Sequence, residues 1–160
     1  MLDPYSTHVP VLAAAVAAAR PGPVLELGAG SFSTPLLHAI CQATGRRLLT
    51  LDGDSNWAAR FTEFRSETHR VEVASDWDAA IPDDVWAVVF VDHAPAGRRV
   101  HEIDRLREAC ELMVVHDTED ARYGYEEVFA KFAFRVDYTR LRPWTSLLSV
   151  SRALVQFNHL

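Results

Sequence analysis

The sequence predicts an α/β fold with a mostly parallel sheet of seven strands, helices on both faces and an antiparallel hairpin at the C-terminal end. Short apolar runs alternate along the chain with segments of helical period, which is the pattern of such a sheet. A glycine turn follows the first apolar run. The last two strands are joined too closely for a parallel crossover, which needs about a dozen residues, so they are predicted to pair antiparallel.

Apolar runs predict strands at residues 24–27, 48–51, 70–74, 86–91, 112–115, 134–141 and 146–150. The run WAVVFV at 86–91 is the most apolar of them, which predicts the central strand. The first helix is predicted at residues 7–20, because Pro21, Gly22 and Pro23 follow it. Later helices are predicted at residues 97–109 and 119–132, where apolar side chains recur at helical spacing.

The two helices that follow the first and second strands have cap signals. Thr34 is predicted to cap the first of them, with Pro35 at its first position and Gly45 at its end. Ser55 is predicted to cap the second. The spacing of its aromatic residues predicts one buried face, formed by Trp57, Phe61 and Phe64.

The 160 residues are predicted to form one domain with an N-terminal helix (1–20), a ligand-binding core (24–118) and a C-terminal helix and hairpin (119–160). The net charge of −6 argues against a nucleic-acid surface, although Arg98 and Arg99 could still meet an anion. The N-terminal apolar run is too short to span a bilayer. Cys41 and Cys110 are predicted to be buried thiols in a reducing compartment. We therefore expect a cytoplasmic protein without nucleic-acid or membrane partners.

The glycine turn Gly28-Ala29-Gly30 predicts a ligand site at the end of the first strand. Glycines allow close approach of the backbone, and the next helix directs its positive N-terminal end at an anion. A pyrophosphate and a carboxylate fit that arrangement equally well. Glu26 favours a ligand that carries an ammonium group as well as a carboxylate, because its side chain would repel a pyrophosphate but could attract the ammonium group. Asp52 ends the second strand, where an acidic side chain can accept both ribose hydroxyls.

An amino-acid head joined to a nucleoside fits these charges, and S-adenosylmethionine is such a molecule. The stretch VLELGAGSFSTPLL resembles motif I of class I S-adenosylmethionine-dependent methyltransferases, and LLTLDGD resembles their second motif. WAVVFVDHA and ELMVVHDT are similar to motifs of small O-methyltransferases. The resemblance implies their Rossmann-like seven-stranded methyltransferase fold, and it places Asp76 and Trp77 along the adenine. The implied cofactor-binding residues are Glu26, Gly28, Ala29, Gly30, Ser33, Thr34, Asp52, Gly53, Asp76, Trp77 and Asp92.

Candidate catalytic residues follow the fourth and fifth strands, at Asp92-His93 and His116-Asp117. In the metal-dependent O-methyltransferases the acids corresponding to Asp92 and Asp117 bind Mg²⁺, so the resemblance implies a metal site there, which His116 could join. The chain departs from that family at Thr118, where the family has Asn, and at residues 94–96, where it lacks a Lys. His93 is therefore the more attractive base. Alternatively, His93 bonds only a loop backbone and Asp117 only caps a helix.

The acceptor is open at this stage. Fewer than thirty residues precede the glycine turn, so the pocket is expected to be open, completed by a second subunit in a homodimer, or built for a large acceptor. A small molecule, a glycan and a protein are all candidates. Residues 5–8 would either fold over the cofactor or form a disordered terminus. Two alternative functions are also open: a non-catalytic cofactor-binding or partner module, and an NAD-linked oxidoreductase. Ser33, where the dinucleotide fingerprint has its third glycine, weakens the latter.

Overall fold

A computed structural model describes residues 3–160 and contains the predicted sheet. Its strands are β1 (Val24–Leu27), β2 (Leu48–Asp52), β3 (His69–Val73), β4 (Trp86–Val91), β5 (Cys110–His116), β6 (Phe134–Tyr138) and β7 (Thr145–Ser149). The seven strands form one sheet in the order β3-β2-β1-β4-β5-β7-β6. Strands β1 to β5 pair in parallel, and β7 pairs antiparallel with both β5 and β6. The fold prediction is confirmed, including β4 as the central strand.

The first helix and the helices after the fourth and fifth strands are shorter than the sequence pattern predicts. They are α1 (Val9–Ala18), α2 (Ser33–Thr44), α3 (Ser55–Ala59), α4 (Trp77–Ala80), α5 (Arg99–Leu106) and α6 (Tyr125–Phe129). The predicted helix at 119–132 is interrupted at Gly124, whose φ of 69° lies in the left-handed region. The predicted helix at 97–109 begins as a 3₁₀ turn (Ala96–Arg98) and ends at Leu106. The apolar spacing therefore located these helices without fixing their ends.

Two apolar layers cover the faces of the sheet. Along β4, Val88 and Phe90 point to the layer formed with α1 and α2, while Val89 and Val91 point to the layer formed with α4, α5 and α6. All six residues of β4 are buried. Side chains alternate between the faces of a strand, so a strand covered on both faces is apolar throughout. The same alternation also sets the direction of the side chains that follow the last residue of each strand.

The caps of α2 and α3 differ from the prediction. Phe32 precedes α2, and the hydroxyl of Thr34 donates to Glu26 instead of capping the helix. Asp54, not Ser55, caps α3, because its carboxylate accepts the N–H groups of Asn56 and Trp57. Helix α3 ends before Phe61, which is buried in a small apolar cluster. Trp57 and Phe64 pack against this cluster and are only partly buried.

The two cysteines are buried and unpaired, as predicted. Burial raises the pKa of Cys41 to about 11 and the pKa of Cys110 to about 12, so both are protonated and unreactive near neutral pH. Within residues 3–160, no helix combines the length and apolar character needed to cross a membrane.

Candidate functional site

A cavity of about 770 Å³ lies where the parallel strands end. In open α/β sheets, ligands bind outside these carboxyl ends. One side of the cavity is formed by the glycine turn and the start of α2, including Gly30 and Phe32. The other side is a polar cluster formed by Asp92, Arg99, His116 and Asp117, with His8 beside it. Residues 3–5 also line the cavity, so the N-terminal segment folds over the predicted ligand site.

The glycine turn holds β1 against β4. Gly28 has a φ of 97°, and a Cβ atom there would lie 2.7 Å from the carbonyl carbon and oxygen of Asp92. Its N–H donates to the Leu51 carbonyl at 2.8 Å. A Cβ atom at Gly30 would lie 2.6 Å from Ser33 Oγ. Gly28 is therefore required by the backbone of the neighbouring strand, before any ligand is considered.

Glu26 lies beneath the turn and faces α2, without exposure to the cavity. Its Oε2 accepts the hydroxyls of Thr50 at 2.6 Å and Thr34 at 2.9 Å. Burial raises the pKa of Glu26 to about 7, although these hydroxyl groups and that of Ser33 lower it in part. The position corrects the prediction that Glu26 meets an ammonium group directly. Glu26, Ser33 and Thr34 support the turn from below.

Asp52 ties the turn to the end of β2. Its Oδ2 accepts the Ala29 N–H at 2.9 Å, and its Oδ1 accepts the Asp54 N–H at 2.9 Å. Burial raises the pKa of Asp52 above its ordinary value, and the two N–H groups oppose that rise. Each carboxylate oxygen keeps a second acceptor site for a hydroxyl group. Asp52 therefore keeps the acceptor capacity that its predicted contact with ribose requires.

The residues that the resemblance places along adenine pack against one another. The Trp77 indole lies 3.6 Å from the position that a Cβ atom would take if Gly53 had a side chain. Its ring centroid lies 4.4 Å from that of His93. Asp76 caps α4 by accepting the Asp78 N–H at 3.0 Å. The indole thus fills the space beside Gly53 at the end of β2.

His93 is directed away from the cavity. Its residue exposure is 1%, and its ring lies between Trp77 and α5. His93 Nε2 is 3.7 Å from Glu102 Oε2, and neither ring nitrogen forms a hydrogen bond within the described part of the chain. A buried ring on that side of the sheet cannot take a proton from a ligand in the cavity. This corrects both the prediction of His93 as the base and the alternative of a bond to a loop backbone.

Arg99 occupies the place predicted for a magnesium ion. Its guanidinium is 3.0 Å from Asp92 Oδ1 and 3.1 Å from Asp117 Oδ2, so it bridges the two acids. Its Nε donates to the His93 carbonyl at 2.7 Å. Desolvation opposes the charge of Asp92, but His116 and Arg99 still hold the pKa of that carboxyl below its ordinary value. Arg99 thus already neutralises part of the charge of the two carboxylates. The predicted Mg²⁺ site between Asp92 and Asp117 is therefore corrected: an arginine side chain lies between these acids.

His116 and His8 complete the polar cluster. His116 Nδ1 lies 3.3 Å from Asp92 Oδ2 and 3.6 Å from Asp117 Oδ1, and its Nε2 lies 2.9 Å from Thr7 Oγ1. The His8 ring centroid is 4.9 Å from that of His116. Burial, with a smaller effect of His116, lowers the pKa of His8 to about 4. Thr7 and His8 were predicted only as part of a terminal segment, and the structure brings them to the polar cluster.

The strand order, the glycine turn and the cavity at the strand ends define the Rossmann-like fold of class I S-adenosylmethionine-dependent methyltransferases. No protein-family model matches the sequence, and no curated protein is significantly similar to it. Solved structures do share its fold. The methyltransferase domain of METTL16, with its N-terminus removed, superposes with a TM-score of 0.61 at 12% identity, covering 95% of this chain and 84% of that one.

Two further solved structures are similar. Precorrin-6y C5,15-methyltransferase from Geobacter metallireducens gives a TM-score of 0.56 at 13% identity, covering 87% of this chain and 85% of that one. The 16S rRNA N2 G1207 methyltransferase RsmC of T. thermophilus, in complex with AdoMet and guanosine, gives a TM-score of 0.54 at 20% identity. That match covers 92% of this chain and 40% of RsmC. At these identities the likeness establishes the fold.

Proposed function

We propose that the protein is an S-adenosylmethionine-dependent methyltransferase that acts on an oxygen or nitrogen atom of its acceptor. One observation carries the proposal: a single cavity joins the glycine turn to the polar cluster at the ends of β4 and β5. A transferase of this kind needs both parts, because the reacting atoms must be held together and the acceptor must lose a proton.

The residues at the turn fit the charges of the cofactor. Helix α2 has twelve residues and begins at the cavity, so its positive end would favour the carboxylate of the amino-acid head. Asp52 has acceptor sites left for the ribose hydroxyls. When bound, the cofactor supplies the electrophilic methyl group. Asp92 and Asp117 would then provide the carboxylate oxygens that orient the acceptor group and receive its proton.

The non-catalytic module is the second candidate, and the position of Trp77 favours it. Its indole packs on Gly53 and His93 and does not line the cavity, although the resemblance places it along the adenine. The NAD-linked oxidoreductase is less favoured, because β7 pairs antiparallel between β5 and β6, whereas the dinucleotide fold continues with parallel strands.

The acceptor and partners remain proposals. The net charge of −6 favours a small molecule, a glycan or a protein over a nucleic acid. Arg99, the arginine in the cavity wall, is already paired with two carboxylates, which leaves it poorly suited to bind a phosphate group. We retain the proposals of a homodimer and of a cytoplasmic location.

Calorimetric titration with S-adenosylmethionine and S-adenosylhomocysteine tests the proposal. We expect binding with a dissociation constant on the order of micromolar. Asp52→Ala is expected to weaken it by more than about tenfold, which is the loss of one charge-assisted hydrogen bond. Asp84→Asn is the matched control, because Asp84 pairs with Arg47 at the opposite end of the sheet. If the folded wild-type protein binds neither compound, the non-catalytic module becomes the better candidate.

A further inference from the structure

The polar cluster contains a set of metal-binding atoms that shares Asp92 and His116 with the predicted metal site and has His8 in place of Asp117. We infer that His8, Asp92 and His116 bind a divalent transition-metal ion at the wall of the cavity. One ring nitrogen of each histidine and one carboxylate oxygen of Asp92 lie within 4.8 Å of one another. In a tetrahedral site with bonds of about 2.0–2.1 Å, such atoms are about 3.3 Å apart. His116 Nδ1 and Asp92 Oδ2 already have that separation, at 3.3 Å.

His8 supplies the independent observation. Its residue exposure is 2%, and neither ring nitrogen has a hydrogen-bond partner among residues 3–160. A buried polar group without a hydrogen-bond partner destabilises a fold. The ring packs against Phe90, at 4.8 Å between centroids, and against His116. Its position in the cavity wall leaves a nitrogen available for a ligand of the cluster.

The hydrogen bonds of Thr7 set the orientation of His116. Thr7 Oγ1 lies 2.8 Å from the Pro143 carbonyl and 2.9 Å from His116 Nε2. The hydroxyl has one hydrogen, and the carbonyl groups near it, those of Pro143 and Pro4, cannot donate. Thr7 therefore donates to a carbonyl group and accepts from His116 Nε2–H. A histidine that donates one N–H in this way presents its other nitrogen to a metal. Here that nitrogen is Nδ1, which faces Asp92.

The charge and chemistry of the cluster select the class of ion. Asp92, Asp117 and Arg99 have a formal net charge of −1, since two carboxylates surround one guanidinium. Two imidazoles and one carboxylate suit Zn²⁺, Co²⁺, Ni²⁺ or Fe²⁺, whereas Mg²⁺ prefers oxygen ligands. Three protein ligands leave a coordination position open, and all three side chains line the cavity. If the proposed function holds, that position faces the acceptor.

A second group of similar residues lacks these properties. Asp78, His101 and Glu102 also lie close together. However, Arg98 is 2.6 Å from Asp78 and 3.2 Å from Glu102, so both carboxylates of that group are paired with an arginine, whereas Asp92 keeps Oδ2 for His116. Asp78 is also largely exposed. The buried, unpartnered imidazole distinguishes the cluster around His8.

Titration of the metal-stripped full chain with Co²⁺, followed by visible absorption, tests the inference. We expect one Co²⁺ per chain with the spectrum of a site of low coordination number, displaced by Zn²⁺ and not by Mg²⁺. His8→Ala is expected to weaken the affinity by about 100-fold or more, and His8→Gln, which better preserves the packing, by a similar factor. Thermal melts establish that each variant is folded.

The control is His38→Ala, which removes one member of another close histidine pair. His38 Nδ1 lies 3.0 Å from His69 Nδ1, away from the cavity. The inference is overturned if folded wild-type protein binds no Co²⁺. It is also overturned if both His8 variants bind as wild type, or if His38→Ala abolishes binding. The titration uses metal alone, so its result is independent of cofactor binding, which calorimetry measures separately on the same samples.

Discussion

Replacing Gly28 by alanine is expected to destabilise the fold by about 2–5 kcal/mol, the sum of a left-handed backbone and an overpacked contact. The new Cβ atom would lie 2.7 Å from the Asp92 carbonyl group and 2.8 Å from His93 Cα. These are backbone atoms of a neighbouring chain segment, which cannot rotate away as a side chain can. The ends of β1 and β4 would have to separate. Urea unfolding at constant pH measures the difference.

Two other glycines separate the causes. Gly45 has a φ of 66°, and a Cβ atom there would have no neighbour within 4 Å among residues 3–160, so Gly45→Ala is expected to destabilise by about 1–2 kcal/mol. Gly97 has neither a positive φ nor a close neighbour in the described chain, so Gly97→Ala should change stability by less than about 0.5 kcal/mol. Equal effects at Gly28 and Gly45 would show that the close approach to β4 is not the cause.

Replacing Glu26 by glutamine is expected to remove a pH dependence of stability. Burial raises the pKa of Glu26 from an ordinary 4.5 to about 7, so the folded state binds a proton more tightly than the unfolded state. Its contribution to stability is fully present below about pH 4.5 and is lost as pH rises through about 7. The difference of roughly 2.5 pKa units corresponds to roughly 3 kcal/mol. Glutamine stays neutral and keeps the size of the side chain.

Urea unfolding between about pH 5 and about pH 8 checks this prediction. Relative to wild type, Glu26→Gln should gain most of that roughly 3 kcal/mol across the range. Burial lowers the pKa of His8 and of His69 to about 4, which makes stability rise with pH and opposes the effect of Glu26. Both proteins carry these histidines, so the comparison isolates position 26. Glu63→Gln, at an exposed carboxylate, is the control. A constant difference between Glu26→Gln and wild type would refute the assignment.

The architecture was accessible from the sequence because apolar periodicity and turn residues act locally. The bounds of β1 and β4 agree with the prediction, and Gly45 ends α2 in the left-handed conformation as expected. Helix lengths were less accessible. The aromatic spacing after Asp54 predicts a continuous helix, yet α3 ends at Ala59 and Phe64 lies in a separate 3₁₀ turn. Trp57, Phe61 and Phe64 still pack in one cluster, so their spacing predicted the buried face without fixing the end of the helix.

The site was only partly predictable from the sequence. The alternation of side chains between the two faces of β4 explains which predicted residues reach the cavity and which do not. Asp92 continues the series Val88 and Phe90 on the face toward α1, whereas His93 continues Val89 and Val91 on the other face. Treating Asp92 and His93 as one catalytic pair ignored this alternation. The same alternation places His116 on the side of Asp92. Applied to both strands, it would have selected Asp92 and His116 as the pair that faces the cavity.

Other parts of the site lay beyond sequence reasoning. Arg99 follows Asp92 by seven residues, and only the turn of the chain at residues 94–98 brings its guanidinium back between the two acids. Helix α1 places His8 beside His116, a contact between residues more than a hundred positions apart. Long-range contacts of this kind leave no local pattern in one sequence.

Backbone amide chemical shifts of the ¹⁵N-labelled chain, titrated with S-adenosylhomocysteine, test most directly whether the glycine turn and cavity form a cofactor site. The largest shifts are expected at the turn and the start of α2, namely Gly28, Ala29, Gly30, Ser31 and Phe32, and at Asp52 and Gly53. The edge strand β6 lies three strands away from β4 and should be unaffected. Shifts that leave the turn unchanged, or no shifts at saturating ligand, would contradict the assignment of this cavity to the cofactor.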